Sequence, residues 1–241
     1  MRVLLLGGTA EARALAGELH PHTTVISSLA GRVPDPALPV GEVRIGGFGG
    51  VDGLVRWLAD AHVDAVVDAT HPFAARITAN AATACGQAGL PHVVLARPAW
   101  PVGDALVVDS DVHAADVVAR RGYERVFLTT GRSGSAAFAG VDAWFLIRAV
   151  TPPDDDELPP RRELLLSRGP YHYEEERKLL SDYGIQALVT KNSGGDMTRA
   201  KVLAADDLGI PVVMVDRPAL PTGVHAVSTV ADAAQWVSAL G

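Results

Sequence analysis

The apolar positions of this chain fall into short runs that alternate with stretches of helical spacing. Val3–Leu6 and Val212–Val215 are continuous apolar runs, as expected of strands buried on both faces. Ala10–Leu19, Asp52–Ala61 and Val112–Arg121 instead place apolar residues three and four apart, which predicts helices with one buried face. Thr23–Ser28, Val43–Ile45, Ala65–Ala69, His92–Leu95, Val126–Thr129, Trp144–Ile147, Leu164–Leu166 and Gln186–Thr190 read as further strands. Helices are also expected from Pro72, which suits a first helical turn, to Ala88; from Glu174 to Tyr183, with Glu174 facing Lys178; up to Leu208; and after Thr229. That last helix places Val230, Ala233, Ala234 and Val237 on one face. Strand and helix alternate throughout, so the class is α/β with parallel sheets.

The opening residues carry the first chemical signal. After the strand, Gly7 and Gly8 permit a tight turn and a close ligand approach, and Thr9 is a good helix cap. Strand, glycine turn and helix start together expose backbone N–H groups at the positive end of a helix dipole, which is an anion site. The dinucleotide pattern G-x-G-x-x-G/A is met imperfectly, with Thr9 in place of the second glycine and Ala12 as the last residue. A tight turn without ligand is the alternative. An NAD site calls for an acid roughly 20 residues further on, to hold the ribose. Here the chain reads Ser27-Ser28-Leu29-Ala30-Gly31-Arg32 instead. Hydroxyls followed by arginine suit a 2′-phosphate, so NADP is favoured over NAD; the alternative for Arg32 is a solvated loop arginine. Candidate cofactor residues in this part are Gly7, Gly8, Thr9, Ala10, Glu11, Ser27, Ser28, Gly31, Arg32, Gly46, Gly47 and Thr70.

Composition narrows the classes. A net charge of −7 and a pI near 5.6 argue against a general binder of nucleic acid or anionic membranes. The single cysteine, Cys85, excludes an internal disulfide framework and a cysteine-based zinc site, and no metal site is expected. No leader-like segment stands before the first strand and no apolar run has membrane-spanning length, so a cytoplasmic location is expected. The loop Thr130-Gly131-Arg132-Ser133-Gly134-Ser135 lacks the lysine and spacing of a Walker A motif, though an anion could still bind there. Thr151–Arg162 is an acidic, proline-rich stretch expected to be a surface loop.

The chain also echoes itself. Gly89–Pro101 reads G-L-P-H-V-V-L-A-R-P-A-W-P and Gly209–Pro221 reads G-I-P-V-V-M-V-D-R-P-A-L-P, an offset of 120 from 89 to 209. The offset holds without a gap back to Thr70 and Thr190, which predicts two similarly wound halves. It also pairs His71 with Lys191, each expected after a strand and before a helix, where ligand crevices form. His71 and Lys191 are the candidate catalytic residues, and Asn192, Ser193 and Gly194 join the candidate cofactor set.

Five motifs in order resemble the precorrin-6A reductase family of cobalamin biosynthesis, which includes the cobalt-precorrin form. They are G-G-T-A-E-A at Gly7, S-S-L-A-G-R at Ser27, D-A-T-H-P-F-A at Asp68, R-G-P-Y at Arg168 and T-K-N-S-G-G at Thr190. Tyr171 stands where the family has phenylalanine. The resemblance spans nearly the whole chain. It implies two Rossmann-like parallel-sheet domains with a cleft between them and NADPH as cofactor. It further implies reduction of one ring carbon–carbon double bond of precorrin-6A to give precorrin-6B, by hydride from the nicotinamide and a proton from elsewhere. The expected domains are residues 1–101, binding NADP, and 102–241, completing a substrate cleft. The substrate would be a tetrapyrrole carrying many carboxylates, and neighbouring enzymes of the pathway are candidate partners. In an acidic protein such a substrate needs local cations: Arg132, Arg168 and Arg199, with Ser133 and Tyr171, form the candidate substrate set. Lys191 could also steady charge or supply the proton, with solvent as the other source.

Two rival readings differ in observable ways. A short-chain alcohol dehydrogenase would carry Tyr-x-x-x-Lys, but Tyr173 is followed at that spacing by Arg177, and Tyr183 by Ala187. A non-catalytic sensor would bind NADPH without oxidising it.

Overall fold

A computed structural model describes residues 1–31, 37–153 and 158–241. The chain forms two compact units, one comprising Met1–Pro98 with Pro218–Gly241, the other Ala99–Arg217. The boundary expected at residue 101 is therefore corrected: the C-terminal segment returns to the first unit.

The first unit contains β1 (Arg2–Leu6), α1 (Ala10–Leu19), β2 (Thr24–Leu29), β3 (Glu42–Ile45), α2 (Val51–Asp60), β4 (Ala65–Asp68), α3 (Ala75–Ala88) and β5 (His92–Leu95). The second contains β6 (Leu106–Val108), α4 (Asp111–Arg121), β7 (Arg125–Thr129), β8 (Trp144–Ala149), β9 (Arg162–Leu166), α5 (Tyr173–Asp182), β10 (Ala187–Lys191), α6 (Ala200–Asp207) and β11 (Val212–Val215). The chain then adds β12 (His225–Val227) and α7 (Val230–Ser238) to the first unit. All pairings among these strands are parallel, in the orders β12-β5-β4-β1-β2-β3 and β6-β11-β10-β7-β8-β9.

The doubly wound core follows from strand alternation. Val3 and Leu5 of β1 pack with Leu15 of α1 and Val237 of α7. Leu4 and Leu6 point the other way, toward Leu54 and Leu58 of α2 and Ala81 of α3. In the second unit Phe127, Leu188 and Met214 pack with Leu180 of α5 and Ala204 of α6.

The two sheets have matching strand orders, so the two halves are similarly wound as the echo predicts, but the register between them slips. His92 and Val212 keep the offset of 120 (92 to 212). Their neighbours Val66 and Leu188 are 122 apart (66 to 188). Lys191 is thus the last residue of β10, whereas His71 lies beyond the end of β4 and is not its structural equivalent. Two local expectations are also corrected. Pro72 sits in the turn before α3, which starts at Ala75. Lys178 pairs with Asp182 at 2.6 Å rather than with Glu174. His225–Val227 is a strand not foreseen. No helix among the described residues is long and apolar enough to cross a membrane.

Candidate functional site

In the first unit, the carboxyl end of β1 meets the start of α1 as the glycines require. Gly8 has φ +112°, a conformation closed to most side chains. A Cβ on Gly7 would make only ordinary contact with Ala12 Cβ at 3.4 Å and Leu29 Cδ2 at 3.5 Å, so it is Gly8 whose conformation calls for glycine. The Gly7 N–H donates to the Ser28 carbonyl at 3.0 Å, tying the turn to β2. Buried Thr9 caps α1 by accepting the Ala12 N–H at 3.0 Å, and its hydroxyl donates to the Ala69 carbonyl at 2.8 Å. The N–H groups of Ala10 and Glu11 lie in the first turn, where a helix offers them no internal acceptor. A shallow depression beside them is lined by Gly7, Gly8, Arg13, Ser27, Ala37 and Pro39.

The neighbouring loop is held by an acid. Buried Asp68, at the end of β4, accepts the Thr70 N–H at 3.0 Å and the Thr70 hydroxyl at 2.6 Å. Exposed His71 accepts the Phe73 N–H on Nδ1 at 3.2 Å, so a neutral His71 ring carries its proton on Nε2. Glu11 is engaged by Arg97 at 2.7 Å, so its contribution to an anion site is its N–H rather than its carboxylate.

At the end of β2, Ser27 and Ser28 are buried, with no carboxylate in the Thr24–Leu29 strand. Ser27 Oγ has no hydrogen-bond partner among the described residues. Gly31 has φ +72° and Gly46 φ +119°. The carbonyls of Gly46 and Gly47 accept from Arg44 at 2.6 and 2.7 Å, and Arg44 also donates to Ser28 Oγ at 3.2 Å. The sequence alone does not single out Arg44. Arg32, the residue expected at a 2′-phosphate, lies outside the described residues.

These features fit a dinucleotide phosphate seat. The orphan N–H groups supply donors, the positive-φ glycine leaves the approach open, and the hydroxyls at β2 offer no repulsion to a further phosphate. Among the described residues no group of His, Cys, Asp and Glu could hold a metal. Burial and nearby Asp68 push the Cys85 thiol up to about 12, so it is a core side chain rather than a nucleophile.

In the second unit, Lys191 is half-enclosed. Its Nζ donates to the Thr130 carbonyl at 2.9 Å and lies 3.2 Å from Asp111 Oδ2, joining the ends of β7 and β10 to the start of α4. Gly134 closes the same corner: a Cβ there would fall 2.7 Å from Thr130 Cβ and 2.8 Å from Asp111 Oδ1. Arg132 and Ser133 are exposed in the loop after β7, Arg168 is exposed after β9, and Arg199 precedes α6.

Two predicted contacts turn inward. The amide of buried Asn192 accepts the Trp100 N–H at 2.9 Å and donates to the Trp100 carbonyl at 3.3 Å. Its side chain therefore anchors Trp100 rather than facing a cofactor, and Trp100 Nε1 donates to the Gly195 carbonyl at 2.7 Å. The Tyr171 hydroxyl donates to the Ser167 carbonyl at 3.0 Å, and its ring lies 4.0 Å from the Arg148 guanidinium. Arg148 makes a buried two-pronged pair with Glu176 at 2.8 and 2.7 Å. Ser193 and the left-handed Gly194 lie in the turn beyond Asn192. The Arg-Pro of each repeat clamps its own half: Arg97 holds Glu11, and Arg217 Nε donates to the Asn192 carbonyl at 2.7 Å.

Comparison with known proteins places these features in context. A model of the precorrin-6x reductase CbiJ/CobK family matches residues 2–238. The chain is 67% identical to a precorrin-6A reductase of Mycobacterium tuberculosis, over 99% of this chain and 98% of that protein. It is 53% identical to a precorrin-6A reductase of Rhodococcus erythropolis, over 99% and 98%. A solved structure titled CobK precorrin-6A reductase superposes with a TM-score of 0.91 at 36% identity, covering 100% of this chain and 97% of that one.

Proposed function

The chain belongs to the precorrin-6x reductase family and is an oxidoreductase of cobalamin biosynthesis acting on a carbon–carbon double bond of precorrin-6A; we propose that NADPH is its reductant and that the βα turn at Gly7–Glu11 seats it. The identity along 99% of the chain carries the reaction. The serines standing where an NAD site would have an acid carry the choice of cofactor.

NADPH, when bound, supplies the hydride. The N–H groups of Ala10 and Glu11, with Gly8 beside them, hold its diphosphate. Thr9 and Asp68 keep the adjoining 69–71 loop in place. His71, with its N–H on Nε2, offers a hydrogen-bond donor toward the substrate, and solvent supplies the proton that completes saturation of the double bond. Lys191 is a positioning residue, since its ammonium is engaged by Thr130 and Asp111. Arg132, Arg168 and Arg199 bind substrate carboxylates, with Ser133 as a further donor and Tyr171 as a packing support. Holding both reactants replaces a bimolecular encounter with an oriented one.

The test mixes purified protein with precorrin-6A and either NADPH or NADH, following nicotinamide oxidation by its near-ultraviolet absorbance. NADPH should be consumed one-for-one with precorrin and not without it, and NADH should serve poorly. No consumption of NADPH would refute the reading. His71→Ala should lower kcat, and an unchanged kcat would remove His71 from the machinery. Lys191→Ala should lower turnover, and unchanged turnover would remove Lys191 from the machinery.

A further inference from the structure

We propose that Arg44 is the residue by which this chain distinguishes a 2′-phosphorylated dinucleotide from an unphosphorylated one, its guanidinium taking the phosphate beside Ser28. The inference rests on the NADPH reading above and goes beyond it by naming the specificity determinant.

Four observations converge on Arg44. The first is its place: β3 pairs with β2 so that Arg44 lies opposite Ser28, near the carboxyl edge of the sheet. Ser28 in turn accepts the Gly7 N–H through its carbonyl, so a single residue links the guanidinium to the glycine turn. The second is its anchoring. The Gly46 and Gly47 carbonyls and Ser28 Oγ take three of its five N–H donors. The Phe48 ring lies 3.8 Å from its central carbon and the Trp57 ring 5.4 Å, so the fork is held flat before any ligand arrives.

The third is charge. The half-buried Arg97 faces Glu11 and the buried Arg148 faces Glu176. Arg44 has no carboxylate partner among the described residues, although the protein carries a net charge of −7. A partly desolvated cation met only by carbonyls, a hydroxyl and rings is electrostatically incomplete. The fourth is its remaining chemistry. Two N–H donors have no partner among the described residues, and two donors of a planar fork match two oxygens of one phosphate. Burial also depresses the Arg44 pKa, in keeping with a guanidinium that lacks a counter-charge.

The test is titration calorimetry of the intact protein with NADP⁺, NAD⁺ and adenosine 2′,5′-bisphosphate. Arg44→Ala should weaken NADP⁺ and the bisphosphate by roughly 10- to 100-fold, leaving NAD⁺ within about twofold. Arg44→Lys should recover part of the loss, keeping the charge without the fork. Equal weakening of NADP⁺ and NAD⁺ by Arg44→Ala would make the residue a packing element and overturn the proposal, as would unchanged NADP⁺ binding. Should the unsubstituted protein bind NAD⁺ as tightly as NADP⁺, the NADPH reading itself fails, whatever the variants do.

Discussion

Replacing Lys201 with methionine should remove a pH dependence of stability that the fold imposes. Lys201 lies on α6 with 5% of its surface exposed. Its Nζ donates to the Thr198 carbonyl at 3.0 Å and stands 5.1 Å from the Trp100 ring. Burial first, and then the nearby Arg148 charge, lower its pKa from 10.5 to about 7, with Glu176 opposing. Below pH 7 the folded and unfolded chains both carry the proton, so this group adds no slope there. From about 7 to 10.5 the unfolded chain holds a proton that the folded chain has released. Stability therefore rises with pH through that window. Each unit corresponds to about 1.4 kcal/mol, so the full window carries a few kcal/mol at most. Lys201→Met keeps the volume, has no proton to lose, and relieves the buried charge at neutral pH. Urea or thermal unfolding of both proteins at intervals from pH 6 to 10 measures the effect. The wild type should gain on the variant as the pH climbs. A constant gap between the two curves would mean that the ammonium stays charged in the fold, and the reasoning would be wrong.

Gly53→Ala should destabilise the first unit by about 1–3 kcal/mol, visible as a lower Tm, because the new Cβ would fall 1.7 Å from the Phe48 carbonyl oxygen. It should also weaken NADP⁺ binding, since Phe48 supports Arg44; an unchanged Tm would contradict the packing. Thr9→Ala should cost about 1–2 kcal/mol and lower dinucleotide affinity, through loss of the Ala12 cap and the Ala69 bond, whereas Thr9→Ser should retain both. Cys85 should resist alkylation in the native protein at about pH 8 and react once urea exposes it, because burial and Asp68 hold its thiol protonated.

Much of the fold was legible because apolar runs and caps are local signals. The bounds Ala10–Leu19 for the first helix, and the last helix beginning after Thr229, are found as read. The return of the last strand was not legible. His225–Val227 is short and largely exposed, and only its pairing with β5 gives it meaning. The echo in the sequence told the truth about winding but misled about His71 and Lys191. Two residues of slip between β4 and β10 are invisible where both stretches are read without their partners. Asn192 looked like a ligand because polar loop residues after a strand often are. Its amide instead pairs with the backbone of Trp100, far away in sequence. Arg44 escaped notice for the converse reason. An arginine between Val43 and Ile45 reads as the solvent face of an edge strand, and its value emerges from the cross-strand contact with Ser28. The glycines and Phe48 that follow it were the available hint.

The most direct test of the nucleotide seat is a crystal structure of this protein with NADP⁺ bound. The diphosphate should lie against the Ala10 and Glu11 N–H groups beside Gly8, with the 2′-phosphate on Arg44. A diphosphate bound anywhere else in the chain would contradict the assignment of the opening βα turn.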